Sequence, residues 1–258
     1  MEVIIIGHLL GDFYIQTNQV AEKKKTSFRY VLLHCLLYMI VMFVLTPWLT
    51  GDLLRGFYMT IIIGVSHLCV DSLKVHIEAK YTKAARYEYV MFLLDQIIHI
   101  FILVLVCGMF RIHIDMDKYP LMLENKIIPV RKAAAIFIAA LICWRPAAIF
   151  ISLVFKQIPN TIEKADNVQE NKKGPAHDGN AVSETIRIGS WIGILEREII
   201  LLLGLLGQYG AIGFVLTAKS LARYKQLENK AFAEKYLVGT LLSALVAIAS
   251  VSICLLAG

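Results

Sequence analysis

Apolar sequence in this chain comes in blocks, and most of the blocks have the length of a bilayer crossing. Seven such regions are read at residues 3–17, 30–50, 55–73, 89–110, 133–155, 188–223 and 237–257. A helix needs about 20 apolar residues to traverse a hydrocarbon layer about 30 Å thick. The expected fold is therefore all-α: a polytopic transmembrane helical bundle of about seven or eight membrane helices, some short or re-entrant. Composition agrees, with 58% of the 258 residues hydrophobic and 18% charged. Soluble domains run nearer about half apolar and about a quarter charged.

The segments between the blocks orient them. Glu22-Lys23-Lys24-Lys25 through Arg29 is strongly basic, Thr50-Gly51-Asp52 is short and nearly neutral, and Lys74 to Glu88 carries Lys74, Lys80, Lys83 and Arg86. Basic connections face the cytoplasm, so the first and third lie inside, the N-terminus lies outside, and the third reads as an amphipathic surface helix. The net charge of +6 serves topology and anionic lipid and does not point to nucleic acid. Residues 1–16 hold His8, Asp12 and Gln16 within their apolar run and have no basic leader, unlike a removable signal peptide. The scattered cysteines (35, 69, 107, 143, 254) lack CxxC spacing and suggest neither disulfides nor a zinc ribbon. Lys164 to Asn180 is polar throughout and reads as a flexible linker. The expected organisation is a four-span bundle at 1–110, a connecting segment with the fifth span at 111–160, a polar cytoplasmic linker at 161–186, and a C-terminal hairpin with the last span at 187–258. Within 188–223, "GLLGQYG" offers a break, and two short helices at about 190–204 and 209–222 keep Lys219, Arg223, Lys225 and Lys230 inside.

Ionisable residues inside the N-terminal blocks are the chemical signal. They occur in "GHLLGDFYIQ" (His8, Asp12), "VLLHCLLY" (His34), "SHLCVDSLK" (His67, Asp71) and "LLDQIIHI" (Asp95, His99). Three of these segments pair a His with an Asp four positions away, a spacing that stacks both on one helix face. The order is His then Asp in the first and third blocks and Asp then His in the fourth, where the chain runs the other way. The three aspartates therefore share the cytoplasmic side, and their histidines lie about 6 Å deeper, four residues at about 1.5 Å rise each. His34 enters at a similar level, so seven residues form one layer. An Asp at the centre of a span costs roughly 2.5–3.5 kcal/mol of insertion free energy, so a bundle interior must hold these groups.

Two chemistries satisfy such a layer. Imidazoles and carboxylates hold a divalent metal (zinc, manganese or iron), whose bound water attacks esters or phosphoesters. Without metal, the same groups form a proton relay or cation path in a transporter or channel. A purely structural reading has polar pairs fixing helix packing, and a non-catalytic assembly subunit is a further class. The metal set is His8, Asp12, His34, His67, Asp71, Asp95 and His99, with one of Asp12, Asp71 and Asp95 as general base. Gln16, Asn18, Lys74 and Gln96 stand beside the set, Lys74 placed to meet a phosphate at the membrane surface. His76, His113 and His177 read as ordinary surface or linker residues. In the C-terminal part, Glu196 pairs with Lys219 or Arg223 to lock a hairpin, or Arg197, Lys219 and Arg223 bind a lipid phosphate.

The His/Asp segments, together with "GSWIGILER", "GQYGAIG", "TAKSLAR" and "YLVGTLLS" in the tail, resemble the bacterial membrane family catalogued as domain of unknown function 3307. The resemblance implies a multi-pass protein of the bacterial plasma membrane and supplies no reaction. In motif style alone, the His/Asp pairs are similar to those of inner-membrane metal-dependent hydrolases. The expected activity is hydrolysis of a membrane-delimited, possibly lipid-linked substrate, with membrane lipid as partner.

Overall fold

The computed structural model describes residues 1–80, 87–112, 121–123, 126–157 and 179–256. His113, His177, Lys83, Arg86 and all but the last two residues of the polar segment Lys164–Asn180 lie outside these. The chain forms two compact units, Met1–Leu141 and Ile142–Leu256. Both are helical. The exception among the described residues is a pair of three-residue antiparallel strands, β1 (Leu121–Leu123) and β2 (Lys126–Ile128).

The first unit opens with α1 (Glu2–Leu9), which runs into a π-helical turn at Leu10–Tyr14. A short α2 (Asn18–Lys23) follows, N-capped by the Thr17 hydroxyl, which accepts from the Val20 amide at 3.3 Å. The long helices are α3 (Phe28–Thr50), α4 (Leu53–Lys80), α5 (Glu88–Met109) and α6 (Val130–Gln157), the last passing from one unit into the other. Each has a narrow inward stripe. In α5 the buried positions are Asp95, His99, Leu103, Val106 and Cys107, and in α4 they include Gly56, Met59, Ile63, His67 and Asp71. This is the three-and-four spacing of a helix face. The other faces are apolar and exposed, as Leu32, Leu36, Ile40 and Val44 on α3 illustrate. An apolar outer face suits lipid and would be a liability in water.

α3 and α4 form a tight hairpin. Gly51 ends α3 at φ +67°, a left-handed conformation open to glycine. The Asp52 carboxylate then accepts from the Leu54 and Arg55 amides at 2.7 and 3.1 Å and starts α4. Gly56 lies against the backbone of Pro47, where a Cβ would overlap it. The Thr46 hydroxyl donates to the Gly56 carbonyl at 2.9 Å.

In the second unit, α7 (Gly179–Leu205) packs on α10 (Lys230–Leu256), with α8 (Tyr209–Ala222) and the single turn α9 (Tyr224–Leu227) between them in sequence. The expected break in "GLLGQYG" is present: α7 stops at Leu205, Gly207 takes φ +70°, and α8 starts at Tyr209.

Among the described residues, five helices are long and apolar enough to cross a membrane: α3, α4, α5, α6 and α10. The count of seven or eight, which includes short or re-entrant helices, is not confirmed. The first apolar block is divided between an eight-residue helix and a π-turn. α7 carries Glu196, Arg197 and Glu198 in its apolar stretch, and α8 has only 14 residues. Of the expected surface helix over Lys74 to Glu88, residues 74–80 continue α4 unbroken, and 81–86 lie outside the described residues.

Candidate metal centre

All seven histidines and aspartates singled out in the apolar blocks of the N-terminal unit are buried, and they come together. Relative exposures are 0% for His8 and His34, 1% for His67, 2% for Asp71, 3% for His99, 6% for Asp12 and 7% for Asp95. Four side chains converge through one atom each. His34 Nε2 lies 3.1 Å from Asp12 Oδ1, 3.4 Å from Asp71 Oδ2 and 3.1 Å from His67 Nε2. His67 Nε2 is 3.9 Å from Asp71 Oδ2. Three groups of potential ligand atoms lie within 4.8 Å of one another: Asp12, His34 and His67; Cys35, His67 and Asp71; Asp71, Asp95 and His99. These groups are spatially able to hold a metal ion.

The local folds explain the convergence. α4 and α5 are regular, so His67–Asp71 and Asp95–His99 meet along their own helices, the latter with His99 Nδ1 3.6 Å from Asp95 Oδ1. The first pair is different. In the π-turn, Ile15 N donates to Leu10 O at 3.0 Å, five residues back. Such wide turns are frequent at functional sites. Gln96 links the pair, donating from Nε2 to Asp12 Oδ2 at 2.8 Å while its Oε1 lies 3.3 Å from His8 Nε2. That Oε1 only accepts, so His8 carries its proton on Nε2, and Nδ1 accepts from the Tyr38 hydroxyl at 3.2 Å. Both nitrogens of His8 are thus engaged. His8 stands beside the convergent atoms and outside the three ligand groups.

Two lysines guard the carboxylates. Lys24 Nζ donates to Asp71 Oδ2 at 3.4 Å and Lys74 Nζ to Asp95 Oδ2 at 3.0 Å. Burial alone would lower the pKa of Lys24, which follows α2 outside the long helices. The carboxylates of Asp71, Asp12 and Asp95 outweigh burial and hold it above the ordinary lysine value of 10.5. Gln96 Nε2 also approaches Asp95 Oδ2, at 3.4 Å.

Four polar atoms of the cluster remain buried with no hydrogen-bond partner among the described residues: His34 Nδ1, His67 Nδ1, Asp95 Oδ1 and His99 Nε2. For a neutral His99 ring the partner of Nδ1 decides the tautomer. Its Nδ1–H donates to the Asp95 carbonyl at 2.8 Å, so Nε2 presents a bare lone pair.

Of the neighbours named from sequence, Gln96 and Lys74 touch the cluster. Gln16 is half-buried with an unpartnered Oε1, and Asn18 is exposed at the start of α2. Three participants were not singled out from sequence. Tyr38 stacks on His67 at 3.9 Å and 3° between planes, one helical turn beyond His34 in the same "VLLHCLLY" segment, and that spacing was the available signal. Lys24 had no signal separating it from Lys23 and Lys25. Cys35, read as packing, lies in one of the three ligand groups.

Residues 1–125 match the family model Protein of unknown function (DUF3307). The DUF3307 segment holds every member of the cluster together with Tyr38, Lys24 and Gln96, and the tail motifs lie beyond the match. No curated protein and no solved structure matches the chain.

In the second unit, Glu196 and Arg197 are buried at 5% and 3% exposure. Lys219 pairs with Glu196. Arg197 Nε donates to the Cys143 carbonyl at 2.6 Å, and its two Nη groups reach Ser243 Oγ and the Trp144 carbonyl, each at 3.4 Å. Those carbonyls lie in the turn before Pro146 of α6, a residue with no amide to offer the Ile142 carbonyl.

Proposed function

We propose that this is a multi-pass protein of the bacterial plasma membrane whose N-terminal unit binds a divalent metal (zinc, manganese or iron) and hydrolyses an ester or phosphoester of a membrane-delimited substrate. The basic connections argue for an N-terminus outside and a cluster near the cytoplasmic face. The observation that carries the metal reading is that Asp12 Oδ1, Asp71 Oδ2 and His67 Nε2 all lie 3.1 to 3.4 Å from His34 Nε2, with His67 Nε2 3.9 Å from Asp71 Oδ2. Ligands held about 2.0–2.2 Å from a tetrahedral ion are about 3.3–3.6 Å apart. Two imidazole Nε2 atoms in direct contact, each with a buried and unpartnered Nδ1, make a poor structural network, because polar pairs that merely fix packing should satisfy each other.

A metal ion would offset the carboxylate charge and supply an acidified water. Asp12, His34, His67 and Asp71 are the ligands in this reading. Asp95 Oδ1 and His99 Nε2 retain free lone pairs to accept a proton from that water. Gln96 orients Asp12, and Lys74 is placed for an anionic leaving or substrate group. A proton or cation path would need polar groups continuing along the helices. Beyond the cluster the described core is largely apolar, built from Ile4, Met42, Met59, Ile63, Leu103 and Val106, and the buried Thr46 and Thr60 hydroxyls bond to each other and to the Gly56 carbonyl.

The test is elemental analysis of the purified full chain beside the Asp71→Asn/His67→Ala double variant, each prepared with zinc, manganese and iron present. About one ion or more per chain in the parent and a loss of at least 80% in the variant is the expected result. Metal-free parent protein would sink the proposal. Hydrolysis of p-nitrophenyl phosphate and p-nitrophenyl butyrate, abolished by Asp95→Asn with metal retained, separates a catalytic from a storage or structural ion.

A further inference from the structure

The second unit contains a cavity of about 200 Å³ at the junction of α6, α7, α8 and α10, and its chemistry differs from that of the His/Asp cluster. Its charged lining residues are Glu196, Arg197, Lys219 and Arg223, two positive charges in excess. Arg197 spends three of its five N–H donors on Cys143, Trp144 and Ser243, so it contributes charge and holds the wall. Lys219 gives one donor to Glu196 Oε2 and keeps others. Among the described residues, no hydrogen bond or ion pair engages the Arg223 guanidinium. Glu196 is buried, and its second oxygen, Oε1, has no donor.

Room is made by glycine. Gly189 and Gly193 line the cavity one turn apart on α7. A Cβ at Gly189 would meet nothing within 4 Å, and one at Gly193 only Arg197 Nη1 at 3.5 Å. Drug-sized sites run to about 300–1,000 Å³, so this cavity suits a single small anionic group. Phe155, Ile151 and Ile192 supply an apolar side.

We infer that this cavity binds a phosphomonoester group, with Arg223 and Lys219 donating to its oxygens and Glu196 Oε1 accepting its remaining P–OH. The second ionisation of a phosphomonoester falls near pH 6, so the monoanion carrying that hydroxyl is accessible around neutrality. A phosphodiester has no P–OH and leaves the buried Glu196 oxygen unsatisfied. Basic pockets between membrane helices are a recognised setting for lipid head groups. The same chemistry is offered by a phosphatidate and by a soluble phosphomonoester.

The experiment uses the full chain in detergent. Methyl phosphate and dimethyl phosphate are titrated calorimetrically, and retention of dioleoyl phosphatidate is read by native mass spectrometry. One phosphomonoester per chain is expected, with dimethyl phosphate at least tenfold weaker than methyl phosphate. Retention of phosphatidate without methyl phosphate binding identifies a lipid source, and binding of methyl phosphate without phosphatidate a soluble one. Arg223→Gln should weaken binding at least tenfold and Gly189→Leu should abolish it by filling the space. Gly210→Leu, also in open space and away from the cavity, reports that such substitutions leave the fold and the binding intact. Failure of every phosphomonoester probe to bind saturably, equal affinity for dimethyl phosphate, or indifference to both Arg223→Gln and Gly189→Leu overturns the inference.

Discussion

Gln96 sits between His8 and Asp12, donating to one and accepting from the other. If Asp12 is a metal ligand, Gln96 is the group that aims it. Outer partners of this kind typically change metal affinity by about 10–100-fold when removed. Gln96→Leu should therefore weaken metal binding by that factor while leaving the protein folded, measured by competition with a chromophoric chelator. Tyr38→Phe should be milder, since the ring stays stacked on His67 and only the hydroxyl to His8 is lost. A loss of about 1 kcal/mol of stability with metal retained is expected. At this scale the sequence was informative about residue type and about some pairs, His67–Asp71, Asp95–His99 and Glu196–Lys219 among them, and silent about the contacts that join α1, α3, α4 and α5 at the cluster. Histidine and aspartate four apart in lipid-soluble sequence stand out by their cost, whereas Lys24 is one of three consecutive lysines. Only the chain path after the π-turn distinguishes it.

Helices meet closely where side chains are small. Gly56 touches the backbone of Pro47, and backbone cannot rotate away as a side chain can. Gly56→Val should destabilise the hairpin of α3 and α4 by about 1–3 kcal/mol, read as a lower thermal midpoint in detergent. On α7, Arg197→Met should remove the hydrogen bonds to the Cys143 and Trp144 carbonyls and to Ser243 at a total cost of about 1–3 kcal/mol, read as a lower thermal midpoint in detergent. Elements of this kind were partly legible. Hydropathy located α3 to α6 and α10 to within a few residues at most ends, and the glycines around Gly207 marked the break before Tyr209. It missed the division of the first block, because a π-turn leaves no periodic trace in five residues. It also missed the continuation of α4, whose last two turns are polar without being a separate helix.

Every proposed metal ligand belongs to Met1–Leu141 and every charged cavity residue to Ile142–Leu256. The two sites should therefore answer separately. Arg197→Met should leave the metal stoichiometry unchanged. A metal present at about 100 times its Kd should add about 2.7 kcal/mol to the unfolding free energy of the parent, and none to that of the Asp71→Asn/His67→Ala variant. The π-turn bears on the longer history of such a chain. Wide turns differ from ordinary ones by a single inserted residue, so one codon gained or lost between Leu9 and Ile15 would rewind this helix and carry Asp12 away from His34. Descendants free of need for the cluster could shed that codon and gain a more regular helix, which makes this short stretch a marker of whether the buried chemistry is still in use.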